Sequence, residues 1–223
     1  KNNLFLHMPN CAGMSVELIS YDIPNIYICA INRTQQWIDD DPIRKENFVL
    51  DFNKLDYNFS FSFVRNPYDR AVSSYYWTKT HHTMPYYKDM TFKSFLKDVV
   101  LNPSFFDNIK TNRDINYFIK NYLYGFSNYS FFMRSHFMPF TDPQLKLFNS
   151  SLDQTVDYIG KVETFNEDLR SCFNKMNIEL PEILHENASE GRKDYREYYD
   201  EECLEIVSNV YKNDIEKFGY EFS

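Results

Sequence analysis

A chain of 223 residues with 43% hydrophobic content is long enough to bury a full core and suits one domain. Aromatic residues make up 18% of it, with 21 Phe and 18 Tyr against 5 Gly, which argues against a linker-rich or disordered chain. The net charge of −8 argues against a nucleic-acid coat, which needs a Lys and Arg surplus, and against a strongly polyanionic partner unless a local basic groove overrides the global field.

In chain order, Asn3 to Met8 reads as a short apolar strand that runs into the turn Pro9-Asn10-Cys11-Ala12-Gly13 and a helix from Met14 to Tyr21. Asn25 to Ile31 is a second strand and Phe48 to Phe52 a third. Phe59 to Arg65 alternates Phe with Ser and is the clearest strand. Pro67 then opens a helix to Lys79, because proline suits a first helical turn. Thr91 caps a helix carrying Phe92, Phe95, Leu96 and Val99, and a second apolar stripe runs from Ile115 to Leu123 before Gly125. Thr155 to Val162 returns to strand, and Thr164 with Glu167 forms a capping box for a helix through Met176. Asp200 caps the last helix, which ends before Gly219. Without repeats or linkers, this order predicts one α/β domain over residues 1–223 with a mainly parallel sheet.

Cys11, Cys29, Cys172 and Cys203 lack metal-ligand spacing and read as buried small residues; a Cys172–Cys203 bridge is open in an oxidising compartment. No His, Cys and carboxylate cluster has ligand spacing, so no metal is expected. No apolar run reaches spanning length, so no membrane contact is expected from these residues.

Two strand-to-helix junctions carry chemistry. In the first, His7 to Ser15, small residues at Ala12 and Gly13 let backbone amides face an anion, and the new helix adds its positive end. Ser15 can donate a hydroxyl, although an ordinary tight turn explains the same residues. It is not a Walker loop, because the G-x-x-x-x-G-K-[ST] spacing is missing. In the second, Phe63 to Ser73, Arg65 ends a strand where its guanidinium can grip a phosphate, with Ser73 two helical turns further on. The plainer alternative pairs Arg65 with Asp69 and leaves Ser73 as packing.

Together, HMPNCAGMS and FVRNPYDRAVSSYY resemble the two cofactor motifs of the carbohydrate sulfotransferase family that includes heparan 2-O- and 6-O-, chondroitin and dermatan sulfotransferases. The later segments DYIGKVETFNEDL and YREYYDEECLEIVSNVYKNDIEKFGYEF are similar to that family too, so the resemblance spans nearly the whole chain. It implies a P-loop-kinase-like three-layer fold, a central parallel sheet flanked by helices. It implies that 3′-phosphoadenosine-5′-phosphosulfate is the cofactor and adenosine 3′,5′-bisphosphate the product. Pro9, Asn10, Cys11, Ala12, Gly13, Met14 and Ser15 would hold the 5′-phosphosulfate, and Arg65 and Ser73 the 3′-phosphate. Arg192 and Lys193 would close over that same phosphate, unless they are only a solvated basic pair. The acceptor would be a hydroxyl, that of a saccharide, reached by direct in-line transfer.

The chain departs from the family pattern at Asn10, where the motif normally has a lysine that stabilises charge on the bridging oxygen. Losing one such donor typically costs about 10²–10³ in rate. The general base is open between Asp51, just before the second motif, and His136; His81 and His82 could line the acceptor cleft, and His7 is read as orienting the turn. Trp37, Tyr75, Tyr76, Trp77, Tyr86 and Tyr87 offer stacking faces for a sugar, or core packing. The alternatives are a cofactor-binding homologue without turnover, a tyrosyl-peptide sulfotransferase, and a small-molecule kinase, whose Walker lysine is missing. Richness in Asn, Lys, Phe, Tyr and Ile favours a bacterial or viral cytoplasmic protein over a Golgi-lumen domain with an upstream anchor removed.

Overall fold

A strand buried on both faces needs apolar side chains at successive positions, and Asn3–His7 (β1) meets that requirement, with every residue buried. The computed structural model describes residues 2–21, 23, 25–30, 47–49, 55–81, 89–102, 104–105, 133–142, 156–182 and 191–223. They fall into two units: residues 1–65 with 143–188, and residues 66–142 with 189–223. The apolar stripe from Ile115 to Leu123 lies outside the described residues.

The first unit contains a four-stranded sheet. After β1 come Gly13–Tyr21 (α1), Ile26–Ala30 (β2), Phe59–Val64 (β3), Tyr158–Lys161 (β4) and Phe165–Met176 (α4). The strand order is β2-β1-β3-β4, and every pairing is parallel. Phe48 adds a parallel bridge to Ile28 beyond β2, while residues 50–52 of that expected strand lie outside the described residues.

The Phe-Ser alternation of β3 would suit a strand with one wet face, yet all of it beyond Phe59 is buried. Its serines are satisfied internally: the Ser62 hydroxyl donates to the Leu6 carbonyl at 2.7 Å, and Ser60 donates its amide and hydroxyl to Asp157 Oδ2, each at 2.8 Å. The phenylalanines pack as tilted ring pairs instead, Phe61 with Phe5 at 5.2 Å and Phe63 with Phe165 at 5.0 Å between centroids. Gly160 lies opposite Phe63 in register, and a Cβ there would come within 2.5 Å of the Phe63 ring.

The helix α4 begins differently from the expected capping box. A 3₁₀ turn over Val162–Thr164 leads directly into it, so the Thr164 hydroxyl does not cap a backbone amide and donates instead to Asp168 Oδ2 at 2.6 Å. Asp168 also accepts from the Lys161 amide at 2.8 Å and the Tyr158 hydroxyl at 2.6 Å. This one carboxylate ties the end of β4 to the start of α4. Asn177, in the left-handed region, stops the helix.

The second unit is helical. Asn66 caps Pro67–His81 (α2) by accepting the Tyr68 amide at 3.0 Å, and Pro67 takes the first turn. Tyr68, Ala71, Val72 and Tyr75 fall on one helical face and join a core with Phe92, Phe95, Leu96, Val99, Val207 and Tyr211. Phe92–Ser94 (α3), capped by Thr91, passes into a π-helix over Phe95–Val100 that the sequence pattern did not distinguish from an α-helix. The widened turn leaves Phe95, Leu96 and Val99 all fully buried. Asp200 caps Glu201–Val210 (α5) through the Cys203 amide, and a break at the buried Tyr211 starts Lys212–Phe218 (α6).

Two buried charges organise the segment around residues 138–141 of this unit. Arg70 donates to the Met138 carbonyl at 2.7 Å and lies over the Phe140 ring at 3.9 Å. Asp214 accepts the Phe140 amide at 2.6 Å and the Thr141 amide and hydroxyl at 2.9 and 2.7 Å. All four cysteines are buried as thiols, and burial pushes Cys172 up to about 12. Among the described residues, no helix is long and apolar enough to cross a membrane.

Asp168 gives a test of the β4–α4 junction. Partial burial works to raise its carboxyl, but the Lys161 amide and the Thr164 and Tyr158 hydroxyls outweigh that and hold it below its ordinary value. A depressed carboxyl stabilises the fold above its unfolded value, and the contribution is lost as pH falls through the folded one. Asp168→Asn should therefore cost about 1–2 kcal/mol near neutral pH, allowing for partial exposure. Urea melts should show that difference shrinking as pH drops below about 4.

Candidate functional site

In an open parallel sheet, ligands bind outside the carboxyl ends of the strands, at the point where the chain's direction of travel across the sheet reverses. Here the chain leaves β1 through α1 to β2 on one side, then returns to β3 on the other side of β1. The reversal therefore lies between β1 and β3, whose carboxyl ends carry the two motifs read from the sequence.

The turn after β1 is built from unusual backbone. Asn10 and Ala12 both adopt positive φ, 63° and 56°, a kind of backbone that turns can use to present successive amides to an anion. Asn is at ease in this region; Ala is not, and its Cβ costs about 1–2 kcal/mol there. The carbonyl of Ala12 accepts the amides of Ser15 and Val16 at 3.1 and 3.3 Å, so α1 starts from the turn without a spacer. Cys11 and Ser15 are buried, as are Pro9 and Gly13, while Asn10, Ala12 and Met14 are half-buried.

Gly13 is required by close approach rather than by its φ. An ideal Cβ on it would fall 2.0 Å from His7 Nε2, so the His7 imidazole fills that space. His7 Nδ1 is in turn hydrogen-bonded to Glu17 Oε1, one helical turn beyond Gly13. Arg65, at the end of β3, donates from Nη1 to the Asn10 carbonyl at 3.2 Å. The structure thus brings the first turn and Arg65 together.

Within the second unit, Asp69 pairs with Arg192, and the Arg192 guanidinium also donates to the Asp69 carbonyl at 3.1 Å. Ser73 lies four residues beyond Asp69, on the same face of α2. Lys193 is exposed and pairs with Glu197 at 3.2 Å, and its amide donates to the Tyr198 hydroxyl at 3.1 Å. The Tyr198 hydroxyl also meets that of Tyr76 at 2.7 Å; this bond, with burial, pushes Tyr76 up to about 12. Arg192 therefore lies against the first turn of α2 at Asp69, beside a loop fastened by tyrosine hydroxyls.

His136 is 4% exposed and stacks on Trp77, with ring centroids 3.6 Å apart. Its carbonyl accepts the Ser74 hydroxyl at 2.7 Å. Tyr75 belongs to the core and donates to the Met90 carbonyl at 2.8 Å. His81 ends α2, and Asp51, His82, Trp37, Tyr86 and Tyr87 lie outside the described residues. Among the described residues, no group of three or more His, Cys, Asp or Glu side chains is arranged as a metal site.

Two pairs escaped the sequence reading, His7 with Glu17 and Asp69 with Arg192. The first left a signal: Glu17 is the one charged residue in the helix GMSVELISY, and an acid on an apolar helix needs a partner. The second left none, because the partners are 123 residues apart.

A parallel sheet flanked by helices, with a positive-φ turn and an arginine at its reversal point, is the arrangement of the P-loop-kinase-like class of folds. The family model described as "Sulfotransferase family" matches residues 30–221, and the chain belongs to that family of sulfuryl-transferring enzymes, which generally use 3′-phosphoadenosine-5′-phosphosulfate. The match contains Arg65, Ser73, Arg192 and Lys193 and begins after β1 and its turn. No curated protein and no solved structure matches the chain.

The backbone of the turn separates two neighbouring small residues. Ala12→Gly relieves a left-handed alanine and should raise the melting temperature, by about 0.5–1 kcal/mol of stability. Gly13→Ala pushes a methyl into His7 and should lower it by more than 1 kcal/mol, about the cost of overpacking. Thermal melts of the two variants check the opposite signs.

Proposed function

We propose that this chain moves the sulfuryl group of 3′-phosphoadenosine-5′-phosphosulfate onto a hydroxyl of a saccharide acceptor, and that residues 1–223 act as one sulfotransferase domain. The observation that carries the reading is the hydrogen bond from Arg65 to the Asn10 carbonyl, which joins the two motif loops at the sheet's reversal point. The membership of the chain in the sulfotransferase family supports the reaction type.

The residues present fit such a cofactor. The turn from Pro9 to Ser15 offers main-chain amides, a helix start and the Ser15 hydroxyl to the 5′-phosphosulfate, and Arg65 offers a planar fork of donors to a phosphate. Ser73, Arg192 and Lys193 are assigned to the 3′-phosphate by the family resemblance. When bound, the cofactor supplies an activated sulfuryl group on a bisphosphate leaving group. The chain's own part is to hold both phosphate ends, orient the acceptor hydroxyl and take up its proton. His136 and Asp51 are the two candidates for that proton; His136 is held by its stack on Trp77.

A second reading, binding without efficient turnover, is favoured by one observation. Asn10 carries no charge where the family motif has lysine, and its left-handed φ of 63° is a conformation that Asn tolerates better than Lys. The turn is adapted to its asparagine.

Calorimetric titration with adenosine 3′,5′-bisphosphate tests the cofactor assignment. The wild-type chain should bind, and Arg65→Ala should bind about ten- to a hundredfold more weakly, as expected for the loss of a charge-assisted contact. Equal affinity in both, or none in either, would remove the assignment. Asn10→Lys separates the two readings: sulfate transfer to a saccharide panel should rise by up to about 10²-fold if charge at this position limits turnover. An unchanged rate would show that the lysine is not what this turn lacks.

A further inference from the structure

The motif FVRNPYDRAVSSYY holds a second arginine, Arg70, to which the phosphate assignment gives no part. Arg70 and Ser74 are four residues apart on one face of α2, and both turn to the segment from His136 to Thr141. The Ser74 hydroxyl donates to the His136 carbonyl at 2.7 Å, and Arg70 Nη1 donates to the Met138 carbonyl at 2.7 Å. Between them, the Phe137 carbonyl accepts the Tyr211 hydroxyl. From α6, the Asp214 carboxylate accepts the Phe140 and Thr141 amides at 2.6 and 2.9 Å, one on each oxygen. Arg70, Ser74, Tyr211 and Asp214 are each at most 1% exposed.

Burying an arginine and an aspartate beside a short turn is costly unless each makes good bonds. What such bonds add over apolar packing is direction, because each fixes an individual main-chain atom. Here they fix three successive carbonyls and the two amides that follow Pro139. His136 begins this run, and its ring lies within 11° of parallel to that of Trp77, also from α2, at 3.6 Å between centroids. We infer that Arg70, Ser74 and Asp214 are positioning residues for His136: they set its main chain, and so the place where its imidazole meets Trp77. The placement of the ring stands on these contacts alone. That the placed ring takes up the acceptor's proton rests on the function proposed above. On that reading α2 serves both ends of the reaction from adjacent residues, Ser73 for the 3′-phosphate and Ser74 for the histidine.

Proton NMR of the full, ligand-free chain tests the placement. The His136 ring protons should be shifted upfield by the ring current of Trp77. Asp214→Asn keeps the side chain's shape but loses one acceptor oxygen, and Ser74→Ala loses the hydroxyl on the His136 carbonyl. Each should shrink that upfield shift in a chain that is still folded. A His136 ring shift that neither variant changes overturns the inference; if Asp214→Asn does not fold, Ser74→Ala decides alone. Sulfate transfer from 3′-phosphoadenosine-5′-phosphosulfate to a saccharide panel tests the chemical role. Ser74→Ala should lower kcat about ten- to a hundredfold with KM for the cofactor unchanged, as for a reacting group displaced by up to about 1 Å. In a His136→Gln background the same substitution should lower kcat no further, a coupling that a merely structural serine would not show. An equal loss in that background overturns the chemical role. If the wild-type chain transfers no sulfate, the proposed function fails, and the His136 ring shift still decides the positioning.

Discussion

Parallel pairing of β1 with β3 sets where both motif loops emerge, and much of the candidate site follows from that register. Leu6 is opposite Ser62 in the pair, so His7 and Val64 end their strands at the same edge. The turn after His7 and the Arg65 guanidinium are then within reach of one hydrogen bond, from Nη1 to the Asn10 carbonyl. A shift of one residue in β3 would turn its phenylalanines and serines to opposite faces and carry Arg65 away from the turn. The sheet resists such a shift because Ser62 is bonded to Leu6, and Ser60 to Asp157.

Buried and half-buried polar groups in both units hold loops at the ends of elements. Asp168 gathers Tyr158, Lys161 and Thr164, and Asp214 gathers Phe140 and Thr141. Arg70 reaches Met138, and His7 meets Glu17. Each is a charged or titratable side chain withdrawn from water and repaid by hydrogen bonds or a charged partner, the condition under which such burial is tolerated. The loops held in this way include the stretch before α1 and the segment that carries His136, where sequence reasoning placed chemistry.

Some sequence readings held because their cause is local. Pro67 starts a helix through its fixed φ, where the structure adds a cap from Asn66, and Asp200 caps α5. Others changed because another partner or the packing competed. The Thr164 hydroxyl left its capping role for the carboxylate of Asp168. The single final helix broke at Tyr211, whose hydroxyl donates to the Phe137 carbonyl. The stripe from Phe92 to Val99 became partly a π-helix, since apolar spacing alone does not distinguish an i→i−5 turn from an i→i−4 one.

Sequence alone determined the parallel α/β class, the two strand-to-helix junctions and the resemblance to sulfotransferases, because each depends on residue type and short spacing. It also marked Asn10 as a departure from the motif. Only the tertiary structure decided that Arg65 reaches the Asn10 carbonyl, that Asp69 pairs with Arg192, and that His7 and Glu17 lie as a buried pair beside Gly13. Pairings between residues far apart in the chain depend on how strands and helices are brought side by side. Burial then selects the partner for each charge, a choice that no local pattern encodes.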